Sequence, residues 1–238
     1  MPRAEYVQRL RQIQDDLLDI GSMVEKAIAG SLDALKSRDL EASRQIVAGD
    51  DAIDNAQAAL EELCVDVMAT QQPMAGDLRH IVTVVAVVSE LERMGDYAEG
   101  IGKISLLMGD EPPLKPLIDI PRMGALGIGM LRQSLDALVN RNVGLAEQVR
   151  RADDEVDILY EQIYRELISF MLEDQRKITR ATYLIWVAHN LERIADRATN
   201  IAERVIFVAT GKRPAPIGWF DRQIGGIGDG ASRSDVIG

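Results

Sequence analysis

The chain has 238 residues, of which 47% are hydrophobic, 27% charged and only 4% aromatic, and its formal net charge is −11. That length accommodates one large domain or two small ones with real cores, and an apolar content drawn from Ala, Leu, Ile, Val and Met favours helices. The negative charge opposes bulk electrostatic binding to DNA, RNA or an anionic membrane, and no apolar run reaches the roughly 20 residues needed to cross a bilayer.

Residues Met1 to Glu5 lack the apolar core of a secretory signal, so the expected compartment is the cytoplasm. From Tyr6 to Lys36, apolar residues recur at Leu10, Ile13, Leu17, Ile20, Val24, Ile28, Leu32 and Leu35, the three-or-four spacing of a helix buried along one stripe. A second helix is predicted from Leu40 to Thr70, broken by Gln71, Gln72 and Pro73, with Pro73 placed to open the third, Met74 to Met108. The lone cysteine, Cys64, stands among Leu63, Val65 and Val67 and reads as a buried apolar thiol.

Three prolines in the segment Gly109 to Pro116 fix φ and remove backbone donors, so no helix continues through it. The predicted organisation is a first three-helix unit over 1–110, a Pro-rich linker over 111–120 and a second three-helix unit over 121–211. The helices of the second unit are Pro121 to Asn140, Val143 to Glu173 and Lys177 to Thr210, and Trp186 reads as core. Residues 212–238, rich in Gly and Pro and without periodicity, read as a flexible, disordered tail.

The second set of helices repeats the first. Ser31 to Leu35 recurs as Ser134 to Leu138, and Asp50, Asp51 and Asp54 recur as Asp153, Asp154 and Asp157, all at an offset of 103. Leu91, Glu92, Arg93, Asp96 and Ile101 recur as Leu191, Glu192, Arg193, Asp196 and Ile201 at an offset of 100, a shortening assigned to the turn between the second and third helices. Matched blocks in all three helices, in the same order, mark an internal duplication. The fold class is therefore all-α: two tandem three-helix bundles with six long helices.

Each copy carries two acidic pairs at i, i+4: Asp50 with Asp54 and Glu92 with Asp96, then Asp153 with Asp157 and Glu192 with Asp196. On a helix such pairs project two carboxylates from one face, where like charges are unfavourable unless something compensates. With a reversal near Gln72, Asp50 lies about 22 residues before it and Asp96 about 24 after, so a 1.5 Å rise per residue puts them at one height. The same arithmetic about Asp174 sets Asp153 level with Asp196 and Asp157 level with Glu192. Four carboxylates that close either raise their pKa values or recruit a cation, and oxygen donors suit Mg²⁺, Mn²⁺, Ca²⁺ or iron. His189, three residues before Glu192, offers a nitrogen ligand that the first copy, with Ser89, lacks. No Glu-x-x-His occurs in the chain, which opposes a ferritin-like di-iron oxidase. Arg93 and Arg193, beside the acidic pairs, read as members of exposed ion pairs, and the glycines at 95, 100 and 102 as points of close helix packing.

The strings PMAGDLRHI (Pro73 to Ile81), ELERMGDYAEGI (Glu90 to Ile101) and NLERIADRATNIAERVIFVATG (Asn190 to Gly211) resemble the PhoU family of phosphate-responsive regulators, a resemblance extending from Ala4 to Gly211. It implies a cytoplasmic, non-enzymatic adaptor, a homodimer or larger assembly, between the Pst phosphate importer, through its ATPase subunit PstB, and the PhoR and PhoB two-component system. In that family, phosphate sufficiency silences the starvation response and restrains uptake; the membrane is reached only through partners. It also implies metal ions, Mg, Mn, Zn or Fe, at the acidic motifs that correspond here to Asp50, Asp54, Glu92, Asp96, Asp153, Asp157, Glu192 and Asp196. The departures are Gly49 and Gly95, expected to loosen the helices at the first site and weaken it, and the extra tail. The alternative reading is a carboxylate-site metal store or metal-dependent enzyme on a helical scaffold.

Overall fold

A computed structural model describes residues 3–212 and 214, so the tail expected over 212–238 lies almost wholly outside the described residues. Six long helices account for the fold: α1 (Arg3–Ser37), α2 (Leu40–Gln71), α3 (Ala75–Met108), α4 (Asp119–Asn140), α5 (Val143–Glu173) and α6 (Ile178–Thr210). Among the described residues there is no strand.

The duplication is visible first in the turns. Arg38 and Arg141, one repeat apart, both take the left-handed conformation, at φ 60° and 49°, and each hands the chain to a capping side chain. The Asp39 carboxylate accepts from the Glu41 and Ala42 N–H groups at 3.0 and 2.9 Å, and the Asn142 side chain accepts from the Leu145 N–H at 3.1 Å. Each cap satisfies donors that the first turn of a helix leaves open, an effect of about 1 kcal/mol. The third helix of each copy stops at a glycine with positive φ, Gly109 and Gly211, whose N–H closes the last turn on Ser105 and Phe207.

Helix α4 begins at Asp119, two residues before the predicted Pro121, and two turns differ in form from the sequence prediction. Pro73 does not open α3: Gln72 already turns the chain in the left-handed region, Met74 is extended, and the helix starts at Ala75. Pro73 instead occupies the turn, where its missing N–H costs no helical bond. The α5–α6 turn carries a 3₁₀ turn, Gln175–Lys177, capped by the Asp174 side chain on the Arg176 N–H at 3.0 Å.

Within each copy the three helices pack on one another, and the copies then join through α1 against α4 and α3 against α6. One continuous apolar core results. Its centre is the matched series Val84 and Leu184, Val87 and Val187, Leu91 and Leu191, Met94 and Ile194, Ala98 and Ala198, Ile101 and Ile201, all fully or almost fully buried. Burial of each large aliphatic side chain contributes about 1.5–3 kcal/mol. Ser31 and Ser134, buried at matched positions, each donate their hydroxyl at 2.8 Å to a carbonyl of the preceding turn, Ile28 and Leu131. Cys64 is buried, as expected.

The joint has pseudo-two-fold character. A Cβ at Gly124 would run into Leu32, and one at Gly21 would run into Leu135; both partners are shifted by the same 103 residues. At the α3–α6 seam the symmetry is broken. Glu90 accepts from Arg197 Nη1 and Asn200 Nδ2 at 3.2 Å each, whereas the matched Asn190 rests against Gly100. The linker is tied to both copies, by Arg38 on the Asp110 carbonyl at 3.2 Å and by Arg180 on the Pro112 carbonyl.

Trp186 is not core: it is 48% exposed and lies against Tyr183 in a tilted arrangement, with ring centroids 5.7 Å apart. The buried stripe of α6 passes through Leu184, Val187, Ala188 and Leu191, and position 186 lies off it.

Candidate metal centre

In the first copy, α2 and α3 bring three of the four expected carboxylates together. Asp50 and Asp54 from α2 and Asp96 from α3 each offer an oxygen within 4.8 Å of the others. Burial, and after it the negative charges of Glu99, Asp54 and Asp96, push the Asp50 carboxyl up to about 6. Asp96 is raised chiefly by burial and then by Asp54. Glu92, one turn before Asp96, stands outside the close trio and is raised by burial and by Asp96.

Glu99 is the residue the sequence reading missed. It follows Asp96 by three on α3, acts directly on Asp50, and is held by Lys103 at 2.5 Å. The Asp96-x-x-Glu99 spacing was its signal, but the second copy has Thr199 there, so a search for repeated carboxylates passes over it.

Gly95 has a specific task at this site. A Cβ there would sit 3.1 Å from Ile53 Cδ1 and 3.3 Å from Asp50 Oδ1, so a side chain would press into the trio. Both helices run unbroken through Gly49 and Gly95. Both glycines line a cavity of about 260 Å³ beside the trio, together with Met23, Lys26, Asp50 and Glu99 among others. The second copy has Ala152 and Ala195 in the matched places.

In the second copy the carboxylates influence one another but are interleaved with cations. Burial, then Asp157 and Asp196, push Asp153 up to about 7, and burial followed by Asp196 pushes Glu192 to about 7. Arg193 reaches across: Nη1 donates to Asp196 Oδ2 at 2.9 Å and Nε lies 3.2 Å from Glu192 Oε2. His189 Nδ1 is 3.6 Å from the same Glu192 oxygen. Among the described residues, only the first copy closes three carboxylates on one point.

These donor sets fit a hard cation. All the close groups are carboxylate oxygens, which Mg²⁺, Mn²⁺ and iron accept. Glu192 Oε2 is buried and makes no hydrogen bond, with Arg193 Nε 3.2 Å and His189 Nδ1 3.6 Å away, so a bound ion would supply the direct contact it lacks. Asp50, Asp54 and Asp96 would hold the ion in the first copy, and Asp153, Asp157, Glu192 and Asp196 in the second, where it would neutralise charge and order the helix faces.

Comparison with known proteins agrees with the duplicated architecture. The family model of the PhoU domain matches twice, over residues 17–105 and 120–205. A phosphate-specific transport system accessory protein PhoU homolog of Clostridium acetobutylicum is 39% identical over 214 residues, 90% of this chain and 98% of that protein. The homolog of Caulobacter vibrioides is 39% identical over 208 residues, 87% of this chain and 90% of its own. The crystal structure of PhoU from Pseudomonas aeruginosa superposes with a TM-score of 0.83 at 33% identity, over 87% of this chain and 100% of that one. The phosphate transport system regulatory protein PhoU from Streptococcus pneumoniae gives a TM-score of 0.82 at 29% identity, over 89% and 100%. Two matched domains, full-length relatives and the same six-helix arrangement together place this chain in the PhoU family.

Proposed function

We propose that this protein is an accessory regulator of phosphate-specific transport that restrains high-affinity phosphate uptake and silences the phosphate-starvation response when phosphate is plentiful. The observation that supports this is the match of both halves to the PhoU domain, together with relatives that carry the name of phosphate transport accessory proteins along nearly their whole length. In this reading the chain is an adaptor and not an enzyme. Its helical faces engage the ATPase subunit PstB of the Pst importer and the sensor kinase PhoR, biasing the kinase of the PhoR and PhoB pair away from its active state.

The acidic sites serve the adaptor by holding divalent or transition metal ions that order these faces, and the chain acts as a homodimer or larger assembly. It works in the cytoplasm and meets the membrane through its partners; among the described residues no helix is long and apolar enough to cross one. A net charge of −11 suits basic protein surfaces rather than nucleic acid.

Deletion in a phosphate-replete culture tests the reading. Alkaline phosphatase expression is expected to rise and to be restored by the intact chain. Unchanged expression, or pull-downs from replete cells that recover neither kinase nor importer, would overturn it. Turnover or bulk metal uptake that disappears on substituting Asp96 and Asp196 would favour the metal store or metal-dependent enzyme instead.

A further inference from the structure

The two acidic sites share the carboxylates of the two i, i+4 pairs but differ in where their positive charge lies. Arg93 and Arg193 hold the same place in the repeat, directly after the glutamate. Arg193 folds over its site, 2.9 Å from Asp196 and 3.2 Å from Glu192. Arg93 is exposed and, among the described residues, makes no ion pair within 4.0 Å.

The rest of each site differs in charge as well. In the first copy Lys103 supplies countercharge one turn away, at Glu99. The second copy has Glu203 in place of Lys103, and that glutamate is engaged with the buried Arg150 at 3.3 Å. At the second site Arg193 is the cation in direct contact with Glu192 and Asp196, with Arg197 and His189 acting on the same carboxylates from farther off. The Arg193 side chain is 39% exposed, so the guanidinium can swing into water without unfolding α6. Its contact with Glu192 Oε2 lacks hydrogen-bond geometry, since that oxygen has no hydrogen-bond partner.

We propose that Arg193 is a built-in counter-ion that closes the second acidic site, so that a divalent cation fills the first site before the second and enters the second only by displacing this arginine. The proposal rests on the reading that the acidic sites hold cations. It reverses the order expected from Gly49 and Gly95 alone. The first site has its three carboxylates gathered and a cavity of about 260 Å³ beside them, and among the described residues no cation forms an ion pair with the trio, Arg93 and Lys103 acting on it only from a distance. At the second, the cation must break a charge-assisted hydrogen bond before it gains its own contacts. Arg193 thereby gives a duplicated protein two different thresholds for one ion.

The test is calorimetric titration of Mn²⁺ into the metal-free full chain and into variants with one site removed. Asp50→Asn with Asp96→Asn leaves the second site; Asp153→Asn with Asp157→Asn leaves the first. On the background retaining only the second site, Arg193→Gln is expected to tighten Mn²⁺ binding by about three- to fivefold. On the background retaining only the first, Arg93→Gln is expected to change affinity by less than about twofold. A second readout uses thermal unfolding: Arg193→Gln lowers the midpoint in chelator, where Glu192 and Asp196 lose their countercharge, and Mn²⁺ then raises it more than in the parent. Should that variant not fold, Arg193→Lys, which keeps the charge but loses the planar fork, carries the same test with a smaller gain. Unchanged or weakened Mn²⁺ binding at the second site after Arg193→Gln overturns this proposal while leaving the metal reading intact. Absence of Mn²⁺ binding at both sites overturns both.

Discussion

The reciprocal packing of Gly124 under Leu32 and of Gly21 under Leu135 gives a direct check on how the two copies dock. In Gly124→Ala the new methyl meets the Leu32 Cδ1 and stands 3.4 Å from Leu32 Cγ and 3.6 Å from Leu191 Cδ2. Replacing a helical glycine by alanine gains about 1 kcal/mol of helix propensity, while forcing a methyl into a packed core costs about 1–3 kcal/mol, so a net loss of up to about 2 kcal/mol is expected. Leu32→Ala removes a buried side chain and costs about 2–5 kcal/mol, by lost burial and by the cavity left behind. Combined, the alanine at 124 moves into space that Leu32 vacates, and the double variant should be less destabilised than the sum by about 1–2 kcal/mol. Urea unfolding followed by far-UV circular dichroism measures each free energy, and a thermal midpoint moves by about 2–4 °C per kcal/mol in a chain of this size. Gly21→Ala with Leu135→Ala should give a coupling of the same sign. Additivity within about 0.5 kcal/mol in both cycles would refute the docking of α1 on α4.

Other consequences follow from burial and charge. Asp50, Asp153 and Glu192 have folded-state pKa values raised to about 6, 7 and 7, so the folded state holds protons that the unfolded chain has released. Stability therefore falls as pH rises from the ordinary carboxylate range to about 7, and metal-free protein should melt at a higher temperature near about pH 5 than near about pH 8. The opposite slope would refute the clustering. Burial pushes the Cys64 thiol up to about 11, so an aromatic disulfide reagent should react with it only at the rate of unfolding; fast reaction in native buffer would contradict its place in the core. Glu90→Gln leaves Arg197 and Arg204, now 3.2 and 3.8 Å from its carboxylate, without their counter-ion at the seam between copies. A loss of about 1–3 kcal/mol in urea unfolding is expected, and no change would show the seam to be electrostatically idle.

The fold was largely legible because its causes are local. The apolar stripe of α1, the prolines of the linker and the turn chemistry at Asp39 and Asn142 each act within a few residues, and the repeat supplied every signal twice. Hairpin arithmetic set Asp50 level with Asp96, and Asp54 and Glu92 one turn away, because a helix has a fixed rise; the close trio takes in Asp54 and leaves Glu92 out. What spacing could not supply was direction and mutual exclusion. Glu92 reaches the right height but stands outside the trio, and Trp186 has a core residue's composition at an off-stripe position. Arg193 lies over Asp196 while Arg93 is exposed, and the matched hairpins carry Lys103 in one copy and Glu203 in the other. Long-range charge arrangements of that kind have no period. The docking of α3 on α6 was also beyond a periodicity argument, although Gly100 opposite Asn190 records it as a missing side chain.

Duplication within one chain removes a constraint that a true dimer obeys. When two identical chains pair about a two-fold axis, each change appears at both ends of the interface; here each copy can change alone. The shape-determining contacts have kept their symmetry, since Gly21 with Leu135 and Gly124 with Leu32 fill space in a core where any unmatched methyl is felt. The charge-bearing positions have not. Glu90 gathers Arg197 and Arg204 where Asn190 gathers nothing charged, Lys103 is matched by Glu203, and Tyr97 by Arg197. Surface and half-buried charges tolerate such divergence at small cost in stability, so it accumulates where it alters electrostatics rather than shape. The outcome is a pair of acidic sites at matched positions of the repeat, one with three carboxylates gathered and one interleaved with an arginine.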